Sequence, residues 1–482
     1  MVNIKINDVP ISVEEGTTIL EACREAKMIV PTLCYLKDIN EIGACRVCVV
    51  EIKGIERLVT SCNNTVKEGM EIYTNSPKVR DARRINIKLI LSQHNCFCPT
   101  CVRSGNCQLQ KVANDLEFGS GTFKQHITEE KWPMDFPLIR DESKCIKCMR
   151  CIQICDKVQS LKVWDIAKTG SRTTVNVSLG RNIKEADCAL CGQCITHCPV
   201  AALSGRDDKR PVFSQNGMLN TRRKTTVVQV APAVRVALGE QFGLPEGANV
   251  MGKIVKALKM MGVDKVFDTV VSADMTVVEE AGEFLERVAA GGPFPMFTSC
   301  CPAWIKYAET KHPEFINKNI SSCKSPLQMF GAVIDELYGN DPERELISVA
   351  VMPCTAKKYE VSRSEFTKAD GKRIVELSLT TQELANMIKN AGIDFANLEE
   401  EFLDAPFDMG GSGAGVIFGV TGGVAEAVIR ECAKDKTNAY VKEMRDVGVR
   451  GKESMKEAVI NVDGRDIHIA VVHGLKAAED LI

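Results

Sequence analysis

The sequence lacks an excess of charge of either sign. Its 482 residues include 61 Lys plus Arg and 63 Asp plus Glu, which gives a formal net charge of −2. A chain so close to neutrality creates no overall field that would attract nucleic acid or an anionic membrane. We therefore expect no nucleic-acid partner and look for partners at particular sites.

Long apolar runs are also missing. No stretch reaches the roughly 18 uninterrupted apolar residues of a membrane-spanning helix. The opening MVNIKINDVPISVEEG has no basic segment followed by an apolar one. We therefore expect no membrane span and a cytoplasmic location. The length predicts about three or four domains, at about 150 residues per domain.

Cysteine, by contrast, is abundant. The chain has 22 cysteines, and a reducing compartment disfavours disulfides, so metal ligation is the leading explanation. Sixteen of them lie between Cys34 and Cys198. Cys23 and Cys432 are isolated and receive no function, because lone cysteines are usually small buried apolar residues.

The first cysteine group follows a predicted hairpin and helix. VNIKI alternates in polarity, ND predicts a turn, PISVEEG resumes the strand, and a helical period runs from Thr18 to Ala26. A C-x10-C-x2-C-x13-C pattern then has one close pair, whereas zinc ribbons usually have two, so a [2Fe-2S] cluster is favoured over zinc. The ligands would be Cys34, Cys45, Cys48 and Cys62.

The second group has the pattern H-x3-C-x2-C-x5-C and comprises His94, Cys98, Cys101 and Cys107. A neutral imidazole in place of a thiolate changes the charge of a cluster and hence its potential. Taken alone, the pattern also fits a zinc site with three cysteines and one histidine. Directly after the first group, the pattern resembles the His/Cys3 [4Fe-4S] module of respiratory complex I and hydrogenase subunits, which favours iron over zinc. Cys96 is left unligated.

Two further runs, CIKCMRCIQIC and CALCGQCITHC, share the spacing C-x2-C-x2-C-x3-C. In two-cluster ferredoxins the fourth cysteine of each run binds the other cluster. We therefore assign one [4Fe-4S] cluster to Cys145, Cys148, Cys151 and Cys198, and another to Cys188, Cys191, Cys194 and Cys155. The total of one [2Fe-2S] and three accessory [4Fe-4S] clusters carries single electrons, so a separate site must perform the chemistry.

The C-terminal half predicts an α/β domain with largely parallel strands, beginning near Thr221. Strand candidates TVVQVAP, PMFTSC, LISVAVMPC and IHIAVVHG alternate with helical stretches such as MTVVEEAGEFLERVAA and PLQMFGAVIDELYG. The cysteines of TSCC and MPC follow strand candidates directly, where parallel α/β folds place their sites. Cys300 and Cys301 are adjacent and do not easily bridge each other, so different roles are expected.

TSCCPAW and MPCTAKKYE, with SSCKSP between them and SGAGVIFGVTGG after, resemble the H-cluster domain of iron-only (FeFe) hydrogenases. The preceding cysteine segments resemble the accessory modules of larger, multi-cluster members, and the resemblance covers nearly the whole chain. It implies a multidomain fold. The expected parts are a β-grasp, plant-type [2Fe-2S] ferredoxin domain over 1–77, a His/Cys3 [4Fe-4S] module over 78–125, a bacterial ferredoxin-like module with two [4Fe-4S] clusters over 138–208, and an α/β H-cluster domain over 221–482.

The resemblance also implies the ligands of the H-cluster, a [4Fe-4S] cluster joined to a di-iron centre. Cys301 and Cys354 would ligate the [4Fe-4S] part. Lys357 would bind a cyanide ligand of the di-iron centre, where a cationic hydrogen-bond donor is chemically suitable. Met352 would pack beside that centre, although an ordinary core methionine fits the same position.

A proton relay is implied as well. Cys300 would hand protons to the di-iron centre, which suits a thiol because its pKa depends on its environment. The relay would continue through Glu280, Ser321 and Glu283. Glu280 and Glu283 are three residues apart on a predicted helix and share one face; the residues alone also fit a solvated helix surface.

The implied function is the catalytic subunit of a cytoplasmic hydrogenase that interconverts H2 with two protons and two electrons. Its partners would be ferredoxin or a flavin-containing, NAD(H)-reactive subunit, within a hetero-oligomer. The family's third motif, with two more cysteines, is expected after a strand like IHIAVVHGL, so we expect the native chain to continue beyond Ile482. Alternatives are a non-catalytic hydrogen or redox sensor, an electron-transfer scaffold, or a complex I-like subunit, the last accounting only for residues 1–208.

Overall fold

The computed structural model describes residues 1–116, 123–213, 223–433, 454–462 and 464–482. Contacts within the chain divide it into a first unit, 1–188 with 192–205, and a second unit, 189–191 with 206–482. The predicted boundary near Thr221 lies outside the described residues. Among the described residues, no helix combines the length and the apolar character that crossing a bilayer requires.

The first unit begins with a mixed sheet and one packed helix. Its strands are β1 Val2–Ile6, β2 Val9–Val13, β3 Val49–Ile52, β4 Ile55–Thr60, β5 Glu71–Tyr73, β6 Leu138–Arg140, β7 Trp164–Ala167, β8 Thr174–Val177 and β9 Leu203–Gly205. Its α-helices are α1 Ile19–Glu25, α2 Pro77–Leu91, α3 Gln108–Asp115, α4 Arg150–Gln153 and α5 Gln193–Thr196.

The predicted N-terminal hairpin and helix are confirmed. β1 and β2 pair antiparallel around Asn7 and Asp8, whose φ values of 46° and 66° suit a tight hairpin turn. The five-stranded sheet has the order β2-β1-β5-β3-β4. Alternate residues of β1 are buried, and they join α1 in one core, because side chains on a strand alternate between its two faces.

The two C-x2-C-x2-C-x3-C runs have the same backbone conformation. Lys147 and Met149 in the first run have φ values of 57° and 62°, and Leu190 and Gly192 in the second have 59° and 73°. Each run then enters a short helix, α4 or α5. Their common spacing therefore reflects a repeated local structure.

The second unit is built on a parallel sheet. Its strands are β10 Lys224–Val230, β11 Lys265–Asp268, β12 Glu345–Met352, β13 Leu377–Thr380, β14 Met455–Val462 and β15 Arg465–Val472. Its α-helices are α6 Lys209–Phe213, α7 Val234–Ala237, α8 Met251–Met260, α9 Val270–Ala290, α10 Pro302–Lys311, α11 Pro326–Tyr338, α12 Ala356–Glu360, α13 Thr381–Asn390, α14 Gly413–Val416, α15 Gly423–Cys432 and α16 Leu475–Leu481.

The order β11-β10-β12-β13, with every neighbouring pair parallel, confirms the predicted parallel α/β domain. The chain leaves β10 for β11 on one side and returns to β12 on the other. The carboxyl ends of β10 and β12 therefore flank a topological switch point, where open α/β sheets bind their ligands. Cys354 follows β12 at this point.

Two strand predictions are wrong in detail. PMFTSC forms no regular strand and makes one parallel bridge, between Phe297 and Ile320. Pro295, at the start of this segment, has no N–H to donate to a sheet. IHIAVVHG lies in β15, which pairs antiparallel with β14 outside the parallel sheet. The apolar side chains of this ribbon pack against α15 rather than between sheet layers.

Candidate functional site

The first cysteine group converges at one place. The Cys34 thiol makes hydrogen-bonding contacts with Cys45 and Cys62, and Cys48 contacts Cys62. Gly43 precedes this loop at a φ of +64°, and a Cβ there would lie 3.1 Å from the Asn63 Nδ2 atom. Four converging thiols beside a closely packed glycine fit the ligand set of a small inorganic cluster.

His94 is positioned to act as a ligand through one ring nitrogen. It is buried, and its Nδ1 atom lies 3.0 Å from the carbonyl oxygen of Lys144. When Nδ1–H donates to that carbonyl, Nε2 keeps the lone pair that binds a metal. Burial lowers the pKa of His94 and favours the neutral imidazole. Cys96 is exposed and donates to the backbone of His94.

An apolar cavity in the first unit brings together Cys145, Cys148, Cys151 and Cys198. These four side chains come from both runs, as the predicted ligand exchange requires. The rest of the cavity wall is mostly apolar. Cys155, the remaining fourth cysteine, lies close to Cys188. Four cysteines from two segments around one cavity fit the ligand set of a cubane cluster.

In the second unit, helix α9 and the SSCKSP segment bring the predicted relay residues together. Glu280 is fully buried, its carboxylate accepts from the Ser299 backbone N–H at 3.3 Å, and Ser321 lies beside it and acts on its pKa. The Ser321 hydroxyl donates to Glu283 at 2.8 Å. Glu283 also pairs with Arg287. Glu280 thus lies next to the hydrogen-bonded pair of Ser321 and Glu283.

The pKa values of Glu280, Glu283 and Cys300 are shifted in different directions or by different amounts. Burial raises the pKa of Glu280 to about 7. Burial also acts on Glu283, but Ser321 and Arg287 outweigh it and lower the pKa of this carboxyl. For the Cys300 thiol, burial and the charge of Glu280 raise the pKa to about 12, against the opposing effect of Lys357. The thiol is therefore protonated at neutral pH, whereas Glu280 can gain or lose its proton.

Lys357 lies beside Cys300. Its Nζ atom donates to the carbonyl oxygen of Cys300 at 3.0 Å and to Glu360 at 2.6 Å. The Cys354 sulfur accepts from the Ala356 backbone N–H at 3.3 Å and lies near Cys301. The two proposed cubane ligands, the thiol and the lysine therefore share one site.

Met352 and the glycine-rich segment take part in packing within the second unit. Met352 is buried in the main core of the second unit, so its packing beside a di-iron centre stays a prediction. In SGAGVIFGVTGG, Asp274 of α9 accepts from the backbone of Ser412 and Gly415. A Cβ on Gly415 would lie 2.5 Å from the carbonyl oxygen of Val270. This glycine is required for close packing on α9.

Several site residues were not found from the sequence. Arg287 lies four positions after Glu283 and Glu360 three after Lys357, so helical spacing was a usable signal for both ion pairs. Ser299 acts through its backbone N–H, which no residue pattern reveals. Asn40 and Arg150, described below, also had no sequence signal.

Cysteine sets suited to iron–sulfur clusters, together with a buried thiol, carboxylates and a lysine at the switch point of an α/β sheet, define an iron–sulfur oxidoreductase. Residues 224–482 match the family described as iron only hydrogenase large subunit, C-terminal domain. This match covers more than half of the chain, and the chain belongs to the iron-only hydrogenase family.

The other matched families agree with the cysteine patterns. They are a 2Fe-2S iron-sulfur cluster binding domain over residues 1–77, the NADH-ubiquinone oxidoreductase-G iron-sulfur binding region over 83–120, and a 4Fe-4S dicluster domain over 144–202. The resemblance stated from the motifs is confirmed. The chain combines ferredoxin-like iron–sulfur modules with the hydrogenase α/β domain.

Two curated relatives align over nearly the whole chain. The NADP-reducing hydrogenase subunit HndD of Solidesulfovibrio fructosivorans is 39% identical over 100% of this chain and 84% of its own length. Iron hydrogenase 1 of Clostridium pasteurianum is 38% identical over 98% and 82%. A solved apo [FeFe]-hydrogenase HydA1 from Chlamydomonas reinhardtii aligns over 54% of this chain and 73% of its own, at 33% identity and a TM-score of 0.45. The chain is a hydrogenase catalytic subunit with accessory iron–sulfur domains, and the sensor alternative is not favoured.

Proposed function

We propose that the second unit interconverts H2 with two protons and two electrons at an H-cluster held by Cys301 and Cys354. When bound, the H-cluster supplies the iron chemistry that forms or cleaves the H–H bond. The main support is the placement of Glu280, a buried carboxyl beside Cys300, next to the hydrogen-bonded pair of Ser321 and Glu283, whose carboxylate also pairs with Arg287.

The protein's own part in the reaction is proton transfer. A protonated Cys300 thiol can donate toward the di-iron centre and recover its proton from Glu280. In the opposite direction, protonated Glu280 can release its proton toward the neighbouring Ser321 hydroxyl, which donates onward to Glu283. The same contacts serve transfer in either direction because each hydroxyl or carboxyl can both give and accept a proton. Lys357 would hold a cyanide ligand of the centre, and Met352 would pack beside it.

Changing Cys300 to serine tests this function directly. We expect H2 evolution by the full chain, loaded with its clusters, to fall at least about 100-fold because a hydroxyl is a far weaker acid than a thiol. Iron content should not change, since Cys300 is not a proposed ligand. Cys96→Ser, at an exposed cysteine outside the ligand sets, is the control. Full activity of Cys300→Ser would contradict the relay, and loss of iron would make Cys300 a ligand.

The accessory modules would hold one [2Fe-2S] and three [4Fe-4S] clusters in the four ligand sets given above. We assign residues 1–77, 78–125, 138–208 and 221–482 to the successive modules. The sheet order β2-β1-β5-β3-β4 packed on α1 supports a β-grasp fold for the first. Electrons from the His94 module would pass to the cubane of Cys145, because the ring of His94 contacts the carbonyl of Lys144.

We also propose a hetero-oligomer in which ferredoxin or a flavin-containing, NAD(H)-reactive subunit exchanges electrons at helix α2. This helix contacts the loop of Cys45 and Cys48 through Arg83, which donates to Val49 O at 2.8 Å, and Asn86, which donates to Arg46 O at 2.7 Å. Its other side exposes Ile85 and Leu89. The helix has five basic residues against one acidic residue, which suits an acidic partner. A cytoplasmic location stays a prediction.

Reversing charge on α2 should weaken this exchange. We expect Lys78→Glu with Arg80→Glu to lower the rate of electron transfer from a plant-type ferredoxin about tenfold at low salt, because electrostatic steering is lost. Activity with methyl viologen should be unchanged. The control is Lys124→Glu with Lys131→Glu, at exposed positions outside α2. Equal effects of the two double variants would rule out α2 as the docking face.

A further inference from the structure

Asn40 joins two of the cysteine groups in the first unit. It lies in the loop between Cys34 and Cys45 and is fully buried. Its side-chain nitrogen donates to the carbonyl oxygen of Cys34 at 2.7 Å and to that of Cys148 at 2.9 Å. Cys34 belongs to the proposed [2Fe-2S] ligands and Cys148 to the proposed cubane ligands. One side chain therefore connects the backbones of ligands of two different clusters.

Arg150 reinforces the same connection. It is the first residue of helix α4, two positions after Cys148. It is buried and donates to the carbonyl oxygens of Cys34 at 3.3 Å and Tyr35 at 3.1 Å. Its guanidinium lies near enough to the sulfurs of Cys34, Cys45, Cys148 and Cys198 to interact with their charge. A buried cation between two anionic ligand sets lowers their mutual repulsion.

An ordinary role for Asn40 would be to stabilise its own loop. The backbone already does so, because Asn40 N–H donates to Leu36 O at 2.8 Å and Leu36 N–H to Asn40 O at 3.1 Å. The side-chain amide nitrogen instead donates to both cysteine carbonyls, and the buried Oδ1 atom has no hydrogen-bond partner among the described residues. An unpaired buried oxygen is costly. If the amide were flipped, its Oδ1 atom would face the carbonyl oxygens of Cys34 and Cys148, and three acceptors would lie together without a donor. The two carbonyls therefore determine the orientation of the amide.

We propose that Asn40 is the electron-transfer link between the [2Fe-2S] cluster and the cubane at Cys145, Cys148, Cys151 and Cys198. The inference rests on the proposed ligand sets. The route runs from the Cys34 side chain to its carbonyl, through the Asn40 amide, to the Cys148 carbonyl and side chain, and consists of covalent and hydrogen bonds throughout. One electron moves and no proton: one cluster is oxidised by one electron as the other is reduced.

The test replaces Asn40 by leucine, which keeps the size and removes both donors. Flash photoreduction of the purified full chain reduces the [2Fe-2S] cluster, and its recovery is followed optically as the electron passes on. We expect Asn40→Leu to slow this step at least about tenfold. Asn64→Leu is the matched control, because Asn64 donates to Thr60 O within the same module without bonding the backbone of a cysteine of either cluster. A wild-type rate in Asn40→Leu, or equal slowing in both variants, would overturn the proposal.

Cluster content separates this inference from the proposed function. Iron analysis and electron paramagnetic resonance of the reduced protein should show both clusters in wild type and in Asn40→Leu, and Cys34→Ser should lose the [2Fe-2S] signal. Retention of that signal in Cys34→Ser would mean that the ligand assignment itself is wrong. If Asn40→Leu does not keep both clusters, Asn40→Ser, which keeps one donor in a smaller side chain, is measured instead. A slowed electron transfer in Asn40→Ser would support the proposal, and a wild-type rate would overturn it.

Discussion

Replacing Glu280 by glutamine is expected to lower H2 evolution by about two orders of magnitude. Glutamine keeps the shape and the contact with the Ser299 N–H but cannot pass a proton between Cys300 and Ser321, and a positioned acid or base contributes about 10²- to 10⁴-fold. The wild-type rate should fall as pH rises through about 7, where Glu280 loses its proton. The measurement is the pH profile of H2 evolution with methyl viologen as donor.

Glu279→Gln is the control for this variant, because Glu279 is its exposed neighbour on α9. It should keep the wild-type rate and pH profile. Binding of the H-cluster, measured as iron content, should be the same in both variants, since neither position is a proposed ligand. If Glu280→Gln kept both the rate and the decline near pH 7, protons would have to reach Cys300 by another route.

The raised pKa of Glu280 also affects stability. Because the folded protein binds this proton more tightly than the unfolded chain, the stability from Glu280 is fully present below its ordinary pKa of 4.5 and is lost as pH rises through about 7. At about 1.4 kcal/mol per pKa unit, the loss is roughly 3 kcal/mol. The glutamine variant removes this dependence, so α9 of the cluster-free variant should exchange its amide hydrogens more slowly than wild type at pH 8.

Replacing Lys358 by methionine should destabilise the second unit by about 3 to 5 kcal/mol. Lys358 is almost completely buried, and its Nζ atom lies 2.8 Å from oxygens of both Asp208 and Glu383 and 3.1 Å from Ser378 O. Without it, two largely buried carboxylates lose a shared cation. Hydrogen exchange of peptides from α12 and α13, followed by mass spectrometry, should be accelerated about 100-fold or more.

Two further variants separate the loss of charge pairing from the loss of packing. Lys318→Met, at an exposed position, should leave the exchange rates unchanged. Adding Asp208→Asn and Glu383→Gln to Lys358→Met should restore part of the protection, because neutral amides no longer require a cation. If the triple variant were no better protected than Lys358→Met, the lost contacts of the lysine stem would account for the effect. Since Lys357 directly precedes Lys358 in α12, Lys358→Met should also lower H2 evolution.

The sequence predicted what repeats or is local. The hairpin of β1 and β2, the helix carrying Glu280 and Glu283, and the parallel sheet follow from alternation, helical periodicity and turn residues, which act over a few positions. The fixed spacing of the two cysteine runs also predicted that Cys198 lies with Cys145, Cys148 and Cys151, and these four cysteines line one cavity. These features require no knowledge of distant parts of the chain.

What the sequence could not predict depends on distant contacts. Asn40 and Cys148 meet only after two modules have folded together, and nothing near Asn40 in the sequence indicates this. The apolar run PMFTSC has the composition of a strand, but among the described residues it makes a single bridge, between Phe297 and Ile320. Similarly, Asp208, one of the two carboxylates that pair with Lys358, lies 150 positions away from it in the sequence.

The matching backbone of the two cysteine runs, left-handed at Lys147 and Met149 and again at Leu190 and Gly192, gives this region the form of an internal duplication. With the proposed ligand exchange, each copy supplies three cysteines to one cubane and its fourth cysteine to the other cubane. Neither copy can then complete a cluster alone, so both copies must be present before either cluster can assemble. Only one of these four positions is glycine; the other three bear a side chain in a conformation that costs roughly 1 kcal/mol, which suits a loop that metal loading, rather than the bare chain, holds in shape.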